Sequence, residues 1–473
     1  MLKRLIKLLS PNSSSAKKNT GAATIHDIKL HQLSPSAIKV CAELQKANFE
    51  AYIVGGGIRD SLLNAKPKDF DVATSATPEQ VRRVFRSSRI IGRRFKIVHV
   101  RFGHEIIEVT TFRGSHQDGE SRDAVQSEEG LLLRDNVYGD MKSDAIRRDF
   151  TVNALYYDPI KCQIYDFTNG LDDIKSRTLR IIGDANERYK EDPVRMLRAA
   201  RFAAKLAFKL DPATENPIYA QAQLLEHIPS ARLFEEVLKL FLGGYATATF
   251  ASLEHFKLLE HILPGVAPLV DASDFNRQLV DLVCINTDKR IRQEKRVTPA
   301  FIFAALLWLP LQKEIKRLIA SGTKPREALN HAMTNVISQQ LARTAIPKRF
   351  TLPMRDMWYL QNGLEQCQPK YLQSIVQHEK FRAAYDFLLL REDAGENHNG
   401  AGQFWTEYQF ADEANQERMA TELGQRNHAA SHPSASAHDK PTGNSGDAAS
   451  PAHKPRRRRR KPAGAKPAPS SDN

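Results

Sequence analysis

The chain has 473 residues, 41% of them apolar, enough for about three domains of ~150 residues with cores of their own, which excludes a small disulfide-stapled fold. Its formal charge of +14 makes a polyanionic partner plausible, either nucleic acid or an anionic membrane surface. The four cysteines, Cys41, Cys162, Cys284 and Cys367, show no C-x-x-C spacing, so neither a zinc site nor a disulfide framework is indicated and a reducing cytoplasm is expected.

The first nine residues, MLKRLIKLL, are basic and amphipathic, but Lys7 breaks the apolar run and no small-residue cleavage site follows. Residues 1–33 are therefore expected to be a disordered leader, with membrane contact as the alternative. No stretch approaches the ~20 continuous apolar residues of a membrane span. Ser34 followed by Pro35 predicts a helix start, with Ile38, Cys41 and Leu44 along one side.

The most informative stretch is YIVGGGIRDSLLNAKPKDFDVAT, Tyr52 to Thr74. Tyr52–Val54 reads as a buried strand, Gly55–Gly57 as a tight turn, Ile58–Asn64 as a short helix and Asp69–Thr74 as a second strand. Side chains alternate along a strand, so Asp69 and Asp71 are expected on one face, about 6.6 Å apart at about 3.3 Å per residue, with Phe70 and Val72 in the core. Two carboxylates so placed repel unless a cation lies between them, and oxygen ligands suit Mg²⁺. Glycines entering a helix let backbone N–H groups approach an anion closely. Gly56, Gly57 and Arg59 with Asp69 and Asp71 thus describe a site for a nucleoside triphosphate whose metal is shared between protein and phosphates. Taken singly, an Asp-x-Asp is usually a solvated turn and GGG just a turn; the joint pattern carries the inference. It is not a P-loop, since no Gly-Lys-Ser/Thr follows.

Thr77, Pro78 and Gln80 predict a helix to about Phe85. The run from Ser87 to Arg113 reads as two strands joined at Phe102–His104. Glu108 there shares a face with Ile106 and Thr110, and is the first candidate for a third carboxylate, against a plain surface glutamate. Residues 114–136 carry six acids and are expected to be a mobile loop over the site. DMKSDAIRRDFTVNALYYD reads as a helix with Ile146 and Phe150 on one side and Arg147, Arg148 and Asp149 beside them. A second hairpin, Tyr156–Asp166, precedes a strand-like TLRIIG.

EDPVRMLRAARFAAKLAF predicts a helix capped by Asp192, with Pro193 first. Arg195 and Arg198 share a face near Asp192. An Asp acceptor beside an Arg donor satisfies the N6 amino group and N1 of adenine; a capped helix with solvated arginines is the equal alternative. From Pro217 to Phe410 the pattern is helical, punctuated by Pro264, Pro310 and Pro347, with Arg232, Lys239, Arg292, Arg349 and Arg355 either lining an RNA path or simply solvated. The last 50 residues lack every large apolar side chain and carry a net +7, densest at KPRRRRRKP, which suits backbone phosphate contact.

VGGGIRD with DFDVAT resembles the nucleotidyltransferase motif shared by bacterial poly(A) polymerases and CCA-adding tRNA nucleotidyltransferases. RRDFTVNALYYD, EDPVRMLRAARFAAKLAF and ARLFEEVLKLFLGG are similar to that family's following motifs, so the likeness covers roughly residues 35–265. The run Ile90–Val100 and the arginine-rich tail look like the polymerases, and the His-Asp phosphohydrolase domain of some CCA-adding enzymes is absent. The resemblance implies an α+β architecture: a nucleotidyltransferase head with a mixed or antiparallel sheet over 34–182, a helical neck over 183–265, a helical RNA-binding body over 266–412 and a disordered basic tail over 413–473. It implies Asp69 and Asp71 as metal ligands with Glu108 or Asp149 completing the acidic set, and Gly56, Gly57 and Arg59 at the triphosphate. Arg148 and Asp149 would lie near the ribose or metals, and Asp192 and Arg195, with Arg198, at the base. The activity expected is template-independent polyadenylation of RNA 3′ ends from ATP with two Mg²⁺, CCA addition being the alternative. The expected setting is a cytoplasmic monomer acting on mRNA, tRNA and small RNAs alongside RNA-decay proteins.

Overall fold

A computed structural model describes residues 22–25, 28, 32–92, 96–114, 124–126, 132–135 and 137–431. The basic run 454–461, the first nine residues and Arg93–Phe95 lie outside the described residues. The amino-terminal part is built on an eight-stranded sheet: β1 (Ala22–Ile25), β2 (Ala51–Val54), β3 (Asp71–Thr74), β4 (Ser88–Ile91), β5 (Ile97–Phe102), β6 (Glu105–Thr111) and, beyond a separate two-stranded hairpin of β7 (Ala124–Gln126) and β8 (Leu132–Asp135), β9 (Leu155–Asp158) and β10 (Gln163–Asp166). The order is β1-β10-β9-β2-β3-β6-β5-β4, and among the described strands of this sheet only β3 and β6 pair in parallel.

Alternation gives the sheet two different faces. Ile53, Val72, Ile107 and Val109 enter the large core, which runs on without a break through the helices to Tyr408. Tyr52, Val54, Ala73 and Phe112 face the other way, into a smaller cluster with Met141, Ala154 and Tyr156. Register places Val54 opposite Asp71 and Asp71 opposite Glu108. The acidic side chains therefore belong to the face with the smaller cluster, whose incomplete cover leaves room for a ligand.

Ser34 caps the helix Pro35–Lys46, accepting from the N–H groups of Ser36 and Ala37, and Thr77 with Gln80 forms a reciprocal capping box on Pro78–Val84. Several expectations are corrected. The leader is not wholly unstructured: Ala22–Ile25 pairs antiparallel with Gln163–Asp166, and Ile28 and Leu33 are buried. The strand expected from Asp69 starts at Asp71, because Asp69 and Phe70 pack against Gly57 rather than joining a ladder. Ser88–Ile91 adds a third strand to the expected hairpin, and the acidic stretch 114–136 holds the β7–β8 hairpin.

The helix begun by Asp140 ends at Ile146, so Ile146 and Phe150 share no face: Ile146 is half exposed and Phe150 fully buried. The break has a cause. Arg188 Nη2 donates to the carbonyls of Arg147 and Arg148, and Asp149 Oδ1 accepts from the Phe150 N–H, so the backbone's hydrogen bonds are met outside a helix.

Past residue 211 the described chain is helical. Pro310 lies in the first turn of Trp308–Ala320, where its missing N–H costs nothing, and Pro217 and Pro353 sit inside helices, so proline is a poorer punctuation mark here than the sequence suggests. The segment 413–473, expected to be disordered, opens with a helix, Glu413–Ser431, that packs Met419, Ala420 and Leu423 on the core. Among the described residues no helix is long and apolar enough to cross a membrane.

Candidate active site

Gly55 leaves β2 at φ 74°, a left-handed conformation that favours glycine, and the helix Gly56–Leu62 starts directly after it. Its first N–H groups have no carbonyl one turn back to bond. Gly57 is required by packing: a Cβ there would lie 2.8 Å from Phe70 Cδ1 and 3.2 Å from the Asp69 carbonyl oxygen. The glycine turn thus holds the acidic segment in place. Gly57→Ala is expected to displace Asp69 and Phe70, costing about 1–3 kcal/mol of stability by overpacking. Because displacements near 1 Å at a reacting centre cost on the order of 100-fold, kcat should fall further than the denaturation midpoint suggests. A variant with unchanged kcat would show that the turn does not position the acids.

Asp71 is held up to about 6 by burial first and by Glu108 next, with Asp69 adding to the rise and Arg148 opposing it. Asp71 therefore feels both of the other carboxylates. Glu108 lies opposite Asp71 in the β3–β6 register and meets His99 Nε2 across the next strand at 3.4 Å. Among the described residues no three His, Cys, Asp or Glu side chains already converge on a metal position. The donor set still suits a hard divalent cation shared with a ligand: oxygen donors only, one of them raised in pKa by burial and then by its acidic neighbours.

Arg59, expected at the triphosphate, is directed into the protein. It is 2% exposed, donates to Asp60 Oδ1 from Nε at 2.8 Å and Nη2 at 2.6 Å and to Asn153 Oδ1 from Nη1, and lies 5.1 Å from the Phe202 ring centroid. Asp60 in turn accepts from Lys205 at 2.8 Å. Arg59 is the buried floor under the glycine turn, and its charge acts from below.

Arg148 is the arginine that lies beside the glycine turn. Its Nη1 is the nearest atom, 3.7 Å, to the place a Cβ on Gly55 would occupy, while Nε and Nη2 are held by Asp144 and the Tyr156 hydroxyl. Burial alone would lower its pKa; Tyr156 and Asp144 outweigh that and raise it. The guanidinium also lies 5.1 Å from the Tyr156 ring centroid, which fixes its plane.

Asp149 has hydrogen-bond partners on both oxygens. Oδ1 accepts from the Phe150 N–H and Asn153 Nδ2, and Oδ2 from Arg198 Nε at 2.7 Å and from Nη2. Burial would raise its pKa, but Arg198 and these hydrogen bonds bring it down to about 2. Engaged on both oxygens, it is a poor candidate for the third metal ligand.

Arg148, Asp149, Asp192, Arg195 and Arg198 together line a cavity of about 270 Å³. Asp192 closes the helix Ala185–Glu191 and accepts weakly from the Val194 N–H, while its Oδ2 pairs with Arg232 at 2.6 Å. It therefore sits at a junction between two helices rather than simply capping the second, whose cap position is Pro193. Arg195 is steadied by Glu191 at 2.7 Å and the Arg188 carbonyl at 2.8 Å. A second, basic cavity of about 260 Å³ is lined by Thr110, Arg113, Asp144, Arg147 and, again, Arg148.

The residues that sequence reasoning missed are those that hold the others: Asp60, Asp144, Asn153, Tyr156, Arg188 and Glu191. Asn153 was within reach, three residues before Tyr156 in the same RRDFTVNALYYD motif. Arg232, considered for an RNA path, is committed to Asp192.

A mixed sheet with a glycine turn, acidic strand ends and a helical continuation is the architecture of a nucleotidyltransferase. The solved structure of the Bacillus stearothermophilus CCA-adding enzyme in complex with CTP has this fold, with 23% identity, 83% of each chain covered and a TM-score of 0.53; a tRNA-processing enzyme with CTP gives 0.55 at 21% identity, covering 83% of this chain and 98% of its own. The profile of the poly A polymerase head domain matches residues 51–180, that of the probable RNA and SrmB-binding site of polymerase A residues 207–269, and that of the polymerase A arginine-rich C-terminus residues 321–462. Poly(A) polymerase I of Escherichia coli O6:H1 is 43% identical over 88% of this chain and 93% of its own, and that of Haemophilus influenzae 43% over 86% and 91%. The chain belongs to the bacterial poly(A) polymerase family.

Proposed function

We propose that this protein transfers AMP from ATP to the 3′-hydroxyl of RNA, repeatedly and without a template, releasing pyrophosphate. The observation that carries this reading is the extent of the likeness. Poly(A) polymerase I relatives match along nearly the whole chain, whereas the CCA-adding enzyme of Lactobacillus helveticus, 38% identical, matches only 50% of it.

Asp192 and Arg195 would meet the adenine edge in the 270 Å³ cavity, and Arg148, between that cavity and the glycine turn, would lie along the ribose and triphosphate. Asp149 orients Arg198 and is not asked to bind metal. Asp69, Asp71 and Glu108 would hold Mg²⁺ together with phosphate oxygens; when bound, the ion supplies a more acidic 3′-hydroxyl and neutralises charge on the triphosphate. The chain's own work is placement and charge stabilisation. Ends of mRNA, tRNA and small RNAs, contact with RNA-decay proteins, and a monomer acting in the cytoplasm belong to the same proposal, the RNA part supported by the +14 charge.

Primer extension with each nucleotide separately is expected to give long products with ATP alone. Three added residues ending in A, on tRNA only and needing CTP, would favour CCA addition instead.

A further inference from the structure

The link between the helices Asp274–Arg292 and Pro299–Leu306 is short and turns sharply. Glu294 takes the left-handed conformation at φ 58°, and Thr298 caps the second helix by accepting from the Phe301 N–H. Between these two helix ends and the side of the helix Phe381–Asp393 the chain leaves a cavity of about 460 Å³. The proposed reaction does not use it. Its volume falls within the range of about 300–1,000 Å³ typical of small-ligand sites.

The lining has two unlike parts. Val297, Phe301, Ala383, Leu389 and Leu390 make an apolar floor, with Leu390 buried and the others partly so. The rim is charged and carries an excess of cations. Asp386 is taken up by Arg290 at 3.6 Å and Arg382 at 3.0 Å, and Glu379 by Lys380 at 3.1 Å. Lys289, Lys295 and Arg296 are exposed and have no ion-pair partner among the described residues, against one remaining acid on the rim, Asp393. The helix Pro299–Leu306 starts at this rim and adds the positive end of its dipole. Exposed lysines and arginines are ordinarily just solvated, but a solvated face has no need of an apolar hollow beneath it.

We infer that this cavity binds a small amphipathic anion, an apolar chain or ring that ends in a carboxylate or a phosphate. The floor takes the apolar body out of water, and the unpaired cations meet the charged end. A polynucleotide matches the lining less well, because its backbone repeats a charge at every nucleotide and offers no aliphatic surface to the floor. A neutral or cationic ligand leaves the excess of the rim unmet.

Anilinonaphthalene sulfonate is an anion of this class that brightens on apolar protein surface. Added to the full chain it is expected to fluoresce, and to be displaced by decanoate or decyl phosphate; the one effective at lower concentration identifies the preferred end group. Decanol has a chain of the same length and no charge. It should displace the probe on the order of tenfold less well, through the loss of a charge-assisted hydrogen bond. Ala383→Trp fills the floor and is expected to lose the fluorescent binding while keeping the parent's affinity for a short oligoadenylate. The double variant Lys295→Gln, Arg296→Gln changes only exposed side chains of the link, so it carries the test should Ala383→Trp fail to fold. It is expected to weaken decanoate and decyl phosphate on the order of tenfold and to leave decanol unchanged.

Probe binding that is the same in the parent and in a folded Ala383→Trp chain overturns the inference, as does decanol that competes as well as decanoate and decyl phosphate. Displacement by oligoadenylate, but by neither decanoate nor decyl phosphate, assigns the rim to RNA and overturns it too.

Discussion

Replacing Asp71 with asparagine is expected to abolish AMP transfer and, in metal-free protein at pH 7, to stabilise the fold. The first effect follows from removing a charged oxygen donor at the acidic centre. The second follows from the carboxyl's own environment: burial, Glu108 and Asp69 hold it at about 6, well above its value in an unfolded chain. A carboxyl raised on folding keeps its proton longer in the folded state, so stability falls as pH rises from about 4 through about 6. Above that range the ionised Asp71 costs about 2–3 kcal/mol, since each tenfold change in proton affinity is worth about 1.4 kcal/mol. The neutral amide of the Asp71→Asn variant carries no such cost. Denaturant titration at pH 4 and pH 7 should therefore show the variant gaining on the parent only at the higher pH, and magnesium with a non-hydrolysable ATP analogue should narrow the gap. Equal midpoints at pH 7, or retained transfer, would show that Asp71 does not sit in an electrostatically frustrated acidic centre.

The larger structural effect is expected from Asp60→Ala. Asp60 is 6% exposed and accepts from both Arg59 and Lys205; without it Arg59, at 2% exposure, keeps only Asn153 and the Phe202 ring. A buried charge deprived of its partner costs about 3–5 kcal/mol. The glycine turn rests on that arginine, with Arg59 Nη2 3.4 Å from where a Cβ on Gly56 would lie, so transfer should fall with stability. The double variant Arg59→Met, Asp60→Leu removes the stranded charge and is expected to recover most of the stability. If the single variant unfolds at the parent's denaturant concentration, the buried pair is not a structural element.

Much of the catalytic sheet was legible because its rules are local. Period-two alternation placed Asp71 and Glu108 opposite the core-facing Val72 and Val109, and Ser34 and Thr77 announced helices by capping chemistry that needs only three neighbouring residues. Where local rules failed, a distant residue had intervened. The helix after Asp140 stops because Arg188, some forty positions later, takes the carbonyls of Arg147 and Arg148. The helix Glu413–Ser431 exists because a few apolar side chains find the core, a contact that composition alone does not announce.

The amino-acid sequence by itself determined which chemical groups gather at the acidic centre and the glycine turn, since both are short-range patterns written into consecutive residues. Only the tertiary structure decided which arginine is left at the cavity: Arg59 is buried by Asp60, Asn153 and Phe202, whereas Arg148 lines it. It likewise pairs Asp149 with Arg198, forty-nine positions away. The reason is that a guanidinium or carboxylate is directed by whichever opposite charge folding brings within about 3 Å, and that partner is a property of the assembled chain rather than of any window along it.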